Sequence, residues 1–280
     1  MNERRKSIFI TGAASGIGRA TAVLFAEKGW YVGAVDVNEE RLKTLAKELG
    51  PDDCFSHYLD VTDRAAFDPV LEEFGKNTSG KMDIMFNNAG IAAFGNFDEI
   101  PYEDAMAVIK VNLIGVVNGI YAALPMLKAT ENSLCFTTSS SAATYGSPGL
   151  AIYAATKHAV KGLTEALSVE FTRFKIRVAD VLPLLIDTAI WDDSPKYAEG
   201  HAVHREKKWI QDAAATEGMA RLLPPTDVAE AVWTAYSSDQ LHWYVPEELR
   251  RVDKAKGESP ERVRERYMAG NPFKTFDKEE

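Results

Sequence analysis

Apolar and polar positions along the chain fall into two alternating regimes. Short, nearly uninterrupted apolar runs lie near residues 7–11, 31–36, 54–59, 82–87, 133–139, 176–182 and 241–245. Between them, residues 16–29, 38–49, 63–76, 102–129, 151–173 and 226–237 space their apolar positions three to four apart, as a helix with one buried face does. Ile17, Ala20, Val23, Leu24 and Ala26 form that face in the first of these. Strands that are apolar on both sides suit a parallel sheet covered by helices, and each intervening helix supplies a crossover. The pattern predicts an α/β fold, a doubly wound parallel sheet of seven strands with helices on both faces.

The first strand runs directly into Thr11-Gly12-Ala13-Ala14-Ser15-Gly16-Ile17-Gly18 and then into a helix. Glycines at 12, 16 and 18 permit a tight turn and let main chain approach a diphosphate, which the free N–H groups of the new helix then face. The second strand ends in Asp36, about 20 residues further on, where a Rossmann-like fold places the carboxylate for the ribose hydroxyls of NAD. A carboxylate there repels a 2′-phosphate, and Val37 follows it in place of a basic residue. Arg19 and Arg41 lie near enough to keep NADP open, but Asp36 selects NAD. As a purely structural group, Asp36 would cap the helix starting at Asn38.

Tyr153-Ala154-Ala155-Thr156-Lys157 carries the chemistry. Four residues apart on a helix, the phenol and the ammonium share one face. An adjacent cation favours phenolate and lowers the tyrosine pKa from about 10, so the phenol can exchange a proton with an alcohol oxygen.

Taken in order, these motifs resemble the short-chain dehydrogenase/reductase family from about residue 7 to 245. Thr11-Gly12-x-x-x-Gly16-Ile17-Gly18 is similar to its cofactor fingerprint, Asp60-Val61 to its adenine-contacting pair, and Asn87-Asn88-Ala89-Gly90 to its loop after the fourth strand. Val111-Asn112-Leu113-Ile114-Gly115 resembles the segment with its active-site asparagine, and Ser140 stands at the family distance before Tyr153. The resemblance implies catalytic roles for Asn112, Ser140, Tyr153 and Lys157. Tyr153 takes the substrate proton as hydride leaves for the nicotinamide, Lys157 lowers its pKa and holds the ribose, and Ser140 holds the substrate oxygen. Asn112 positions a water that links Lys157 to solvent. It also implies that Gly12, Ser15, Gly16, Ile17, Gly18, Asp36, Asp60, Val61, Asn88, Ala89 and Gly90 bind NAD together with Tyr153 and Lys157. Pro183, Ile186 and Thr188, in the loop after the sixth strand, complete that set by covering the nicotinamide. The family has glycine where this chain has Leu184, so the pocket outline departs from its relatives.

Residues 189–224, with Trp191, Tyr197 and Trp209, read as a substrate lid within a dinucleotide-binding and catalytic domain of residues 1–245. With Ala92, Ala93, Phe94, Ala142, Tyr145, Leu184 and Trp191, the lid suggests a pocket for a hydrophobic or aromatic secondary alcohol or its ketone. His201 and His204 are spaced to share one side of a helix, but the chemistry needs no metal and none is expected. Past Val245 the resemblance fades into an extension, 246–280, in which Ser259-Pro260-Glu261 reads as a helix start.

A net charge of −9 disfavours nucleic acid and anionic lipid as partners. No run reaches the ~20 apolar residues of a membrane helix, and only three apolar residues follow Arg4-Arg5-Lys6, too few for a signal peptide. A cytoplasmic enzyme is the expectation. Cys54 and Cys135 read as buried apolar residues on strands. The apolar surface of helices 102–129 and 151–173 exceeds one sheet face, which with the family resemblance implies a homodimer or homotetramer. Two other classes share parts of this pattern. A non-catalytic NAD-binding sensor or scaffold would not need the intact set of Asn112, Ser140, Tyr153 and Lys157. An NAD-retaining epimerase or dehydratase would show a different glycine spacing.

Overall fold

The computed structural model describes residues 4–204 and 208–268. Seven strands, β1 (Ser7–Thr11), β2 (Tyr31–Asp36), β3 (Cys54–Tyr58), β4 (Ile84–Asn87), β5 (Leu134–Thr138), β6 (Arg177–Pro183) and, after a longer connection, a final strand His242–Val245, form one sheet. All pairs are parallel, in the order β3-β2-β1-β4-β5-β6 with the final strand beside β6. The seven strands are those the apolar runs predict, with ends shifted by up to two residues.

Helices α1 (Gly16–Glu27), α2 (Glu39–Leu49) and α3 (Arg64–Thr78) follow the first three strands, and α4 (Tyr102–Ile109), α5 (Gly115–Lys128) and α6 (Ala151–Glu170) the next two. One face of the sheet packs Phe25 of α1 and Leu42 and Leu45 of α2 against Ile8, Ile10 and Phe86. The other packs Phe67 and Phe74 of α3, Val116 and Ile120 of α5 and Val160 of α6 against Phe9 and Met85. Burial on both sides is why β1, β4 and β5 are apolar without alternation. Burying each of these phenylalanines stabilises the fold by about 1.5–3 kcal/mol.

The predicted helix at 102–129 is interrupted. A π turn, Lys110–Ile114, separates α4 from α5 and carries the buried Asn112. Contrary to the expectation from sequence, the run Tyr102–Lys128 is long and apolar enough to cross a membrane. Here its apolar side chains Val116, Ile120, Ala123 and Leu127 face the core instead.

After β6 come a short helix α7 (Ile190–Asp193), a hairpin of β7 (Tyr197–Ala198) and β8 (His201–Ala202), and α8 (Lys208–Ala213). Helix α9 (Pro225–Ala235) returns to the sheet, and the final strand is β9. His201 lies in β8 and His204 follows it, both exposed, so their spacing is not helical. The extension folds as α10 (Arg250–Glu258) and α11 (Pro260–Met268), the latter starting where Ser259-Pro260 predicts. Cys54 and Cys135 are free and buried, and burial pushes both thiols up to about 12.

Candidate active site

Strand order reverses between β1 and β4, so their carboxyl ends diverge and open a crevice. A cavity of ≈ 750 Å³ fills it, reaching from Asp36 and Arg41 at one end to Phe94 and Trp191 at the other.

The glycine turn forms its floor. Gly12 has φ +66°, and a Cβ there would lie 2.8 Å from Ala89 Cα. Gly18 brings α1 against the turn so closely that a Cβ would sit 2.1 Å from Gly12 O. Ser15, the N-cap of α1, makes no side-chain capping bond, which leaves the positive helix end open to the cavity. That cradle fits an anion such as a dinucleotide diphosphate. At the far end, main-chain N–H groups of Ala14 and Asn38 donate to the two oxygens of Asp36 at 3.0 and 2.8 Å. They aim the carboxylate while leaving it lone pairs for hydroxyl donors. The helix cap itself is Asn38, which accepts from Arg41 N.

Gly12, Ser15, Gly16, Ile17, Asp36, Asp60 and Val61 all line the cavity, as do Asn88, Ala89, Gly90, Pro183, Ile186 and Thr188. Gly18 lies behind the turn. Asn88 also serves as a strut, donating to Thr11 O and Gly12 O and accepting from the Thr138 hydroxyl. On the other wall stand Ser140, Tyr153, Lys157, Ala92, Phe94, Ala142, Leu184 and Trp191. Tyr145 does not line the cavity; it packs with Leu184 against a separate apolar cluster.

Tyr153 and Ser140 line the same cavity. Burial pushes the phenol above its ordinary value, opposed by hydrogen bonding with Ser140. Burial thus outweighs the lowering expected from Lys157. Its Nζ stands 5.5 Å from the Tyr153 ring centre and donates to Thr138 O at 2.8 Å. Lys157 is itself buried, which holds its own pKa down at about 8 against the pull of Asp180. Ser140 also accepts from Ala142 N, which fixes its hydroxyl at the start of a short turn. Asn112 is fully buried and pairs twice with Ile91, its Oδ1 accepting from Ile91 N and its Nδ2 donating to Ile91 O, both at 2.9 Å. It sits behind the cavity wall and holds the loop that follows Gly90.

The segment after β6 packs against this wall. Ala92 N donates to Ser194 Oγ, Phe94 N to Pro195 O and Tyr197 N to Phe94 O. Phe94, Trp191 and Trp209 meet with ring centres 5.6–5.9 Å apart.

Sequence reasoning misses the role of Thr11 and the partner of Arg41. Thr11 Oγ1 accepts from Asn88 N and Ala89 N and sets the β4 loop. A hydroxyl on the last residue of β1 was the available signal. Arg41 of α2 and Asp193 of α7 pair across the cleft at 2.8 Å, a contact between residues 152 apart that no local pattern announces.

A doubly wound parallel sheet with a glycine cradle at its switch point and a phenol–hydroxyl–ammonium set beside it defines a dinucleotide-fold oxidoreductase. The chain belongs to the short chain dehydrogenase family, whose profile matches residues 6–198. It is 38% identical over 202 residues to the 3-oxoacyl-(acyl-carrier-protein) reductase FabG of Thermotoga maritima, covering 71% of this chain and 82% of that protein. It is also 38% identical over 255 residues to momilactone A synthase of Oryza sativa subsp. japonica, covering 89% and 88%. Among solved structures, a short chain dehydrogenase/reductase from Burkholderia phymatum in complex with NAD superposes with a TM-score of 0.79 at 26% identity, covering 93% and 96%.

Proposed function

We propose that this oxidoreductase interconverts a secondary alcohol and its ketone with NAD, on a hydrophobic or aromatic substrate. The observation that carries the reading is Tyr153 and Ser140 lining one cavity with the buried ammonium of Lys157. NAD, when bound, supplies the hydride acceptor, and Gly12, Ser15, Gly16, Ile17 and Asp36 would hold it. The chain's own groups handle the proton. Tyr153 takes the hydroxyl proton during oxidation and returns it during reduction. Ser140, already fixed by Ala142 N, holds the substrate oxygen and stabilises charge developing on it. Lys157, tied to Thr138 O, places a cation beside the phenol. Asn112 fixes the Ile91 loop and keeps the π turn, a distortion that recurs at functional sites, next to the route by which protons reach solvent.

The substrate class is supported by Ala92, Phe94, Ala142, Leu184, Leu185, Ile190 and Trp191, which line the same cavity as Tyr153. The proposed assembly is a homodimer or homotetramer, supported by the exposed Ile114 of the π turn, Tyr121 of α5 and Val169 of α6. Sedimentation velocity checks it. For the reaction, a panel of apolar, aromatic and polyol alcohols offered with NAD or NADP, wild type beside Tyr153→Phe, is the direct test. Turnover with NAD that disappears in the variant is the expected result, and turnover that survives in Tyr153→Phe would sink the acid–base assignment.

A further inference from the structure

Helix α10 lies beyond the region that matches the family profile, yet it packs against α6, the helix of Tyr153 and Lys157. Two polar pairs join them. Asp253 Oδ2 accepts from Lys161 Nζ at 2.5 Å and from the Tyr244 hydroxyl at 2.6 Å. Lys256 Nζ donates to His158 Nε2 at 2.7 Å. That acceptor is available because His158 Nδ1–H donates to Ala154 O at 2.9 Å, leaving a lone pair on Nε2. The pairs run 158 with 256 and 161 with 253, so the helices are antiparallel at this contact. Three-residue spacing on each keeps both pairs on facing stripes.

The Lys161 and Asp253 side chains are only 14% and 16% exposed, so solvent screens them far less than a surface pair. Leu249 and Val252 are fully buried in a cluster with Ala143, Leu182 and Tyr244, with Leu184 and Tyr145 packed against it. The extension thus touches both halves of the catalytic wall, through His158 and Lys161 on one side and through Leu184 on the other.

Helix α6 has need of such support. Its N-cap is Leu150, which offers no side-chain acceptor to the free N–H groups of the first turn. Tyr153 sits in that turn, where an uncapped helix frays first.

Resting on the assignment of Tyr153 as the acid–base group, we propose that α10 braces α6 and that Asp253 is its positioning residue. It holds the first half of α6, and so the phenol of Tyr153, in register with Ser140. The extension is then part of the active-site frame.

Hydrogen–deuterium exchange on the full chain tests this without requiring turnover. In Asp253→Ala, exchange across residues 151–161 should quicken roughly tenfold while β4 and β5 stay protected, and Asp253→Glu should restore most of the protection. With a turned-over substrate, kcat should fall about tenfold or more, and by more than NADH affinity, because α10 touches neither the glycine cradle nor Asp36. Should Asp253→Ala not fold, Lys256→Met carries the same test at residues 151–158. Unchanged exchange in α6, or equal loosening across the whole sheet, would overturn the proposal. A wild type that turns over no alcohol or ketone would instead defeat the acid–base assignment, and the exchange result would still decide the brace.

Discussion

Lys157 donates to the main-chain carbonyl of Thr138, so the ammonium four residues after Tyr153 is anchored to the end of β5. Burial holds its pKa at about 8 against an ordinary 10.5. Between those values the folded protein binds fewer protons than the unfolded chain, so stability rises with pH through that window. Below pH 8 the full penalty applies, roughly 3 kcal/mol at 1.36 kcal/mol per tenfold. Lys157→Met removes it but also removes the hydrogen bond to Thr138, worth about 1 kcal/mol. We expect the variant to be inactive yet about 2 kcal/mol more stable at pH 7 by urea unfolding, the gain shrinking toward pH 10.5. A variant less stable than wild type at pH 7 would show that the ammonium stabilises the fold.

The Tyr153 phenol is pushed up by burial, with the Ser140 hydrogen bond opposing, so it is protonated through the neutral range. Ketone reduction needs that protonated form and should proceed at a level rate through neutrality. Alcohol oxidation needs the phenolate and should climb with pH. Ser140→Ala removes the opposing bond and should move the alkaline limb of oxidation to higher pH, besides slowing both directions by about 10²–10⁴. Initial rates in both directions against pH check this, and an oxidation rate flat in pH would assign the proton to another group.

The sheet was legible because most of its strands are apolar-rich runs between amphipathic segments, β3 with its Ser56-His57 being the weakest, and covering both faces admits little else. The glycine cradle was legible from Gly12, Gly16 and Gly18, whose type is dictated by φ and by close approach. Two things were not. The pKa order of Tyr153 and Lys157 depends on burial and on the Thr138 carbonyl, neither of which i,i+4 spacing encodes. The contacts of α10 with α6 and of Arg41 with Asp193 join segments about 90 and 152 residues apart, so only the fold brings them together. Tyr145 was misplaced for a similar reason: Leu184, in a position where the family has glycine, fills the wall in front of it.

Cofactor choice should turn on Asp36 and on the partner of Arg41. Asp36 is aimed by two main-chain donors, while Arg41 is held by Asp193 in an exposed pair, an interaction worth about 0.2–1 kcal/mol. Asp36→Ala removes a charged acceptor and should weaken NAD binding about tenfold or more. It also removes the repulsion toward a 2′-phosphate. Adding Asp193→Asn frees Arg41 for that phosphate and should improve NADP binding further. Calorimetric titration of both dinucleotides decides it: an NAD-to-NADP affinity ratio unchanged in Asp36→Ala would remove Asp36 as the selector.

Leu184 joins the pocket to the extension. Its N–H donates to Val245 O at 2.8 Å, which continues the pairing of β6 with β9. Its half-buried side chain lines the cavity on one side and packs against the cluster of Leu182, Leu249 and Val252 on the other. Leu184→Gly keeps the main-chain bond and removes the wall. Truncating a fully buried leucine costs about 2–5 kcal/mol, so this half-buried one should cost about 1–2 kcal/mol, read as a lower unfolding midpoint. The cavity should then open toward Tyr145. Substrates that fill the wild-type pocket should lose apolar contact and show a KM raised about tenfold, for roughly 1.4 kcal/mol of lost burial. Bulkier alcohols should gain in kcat/KM. If both sets respond equally, Leu184 supports the fold without shaping the pocket, and specificity lies with Phe94 and Trp191 on the lid side.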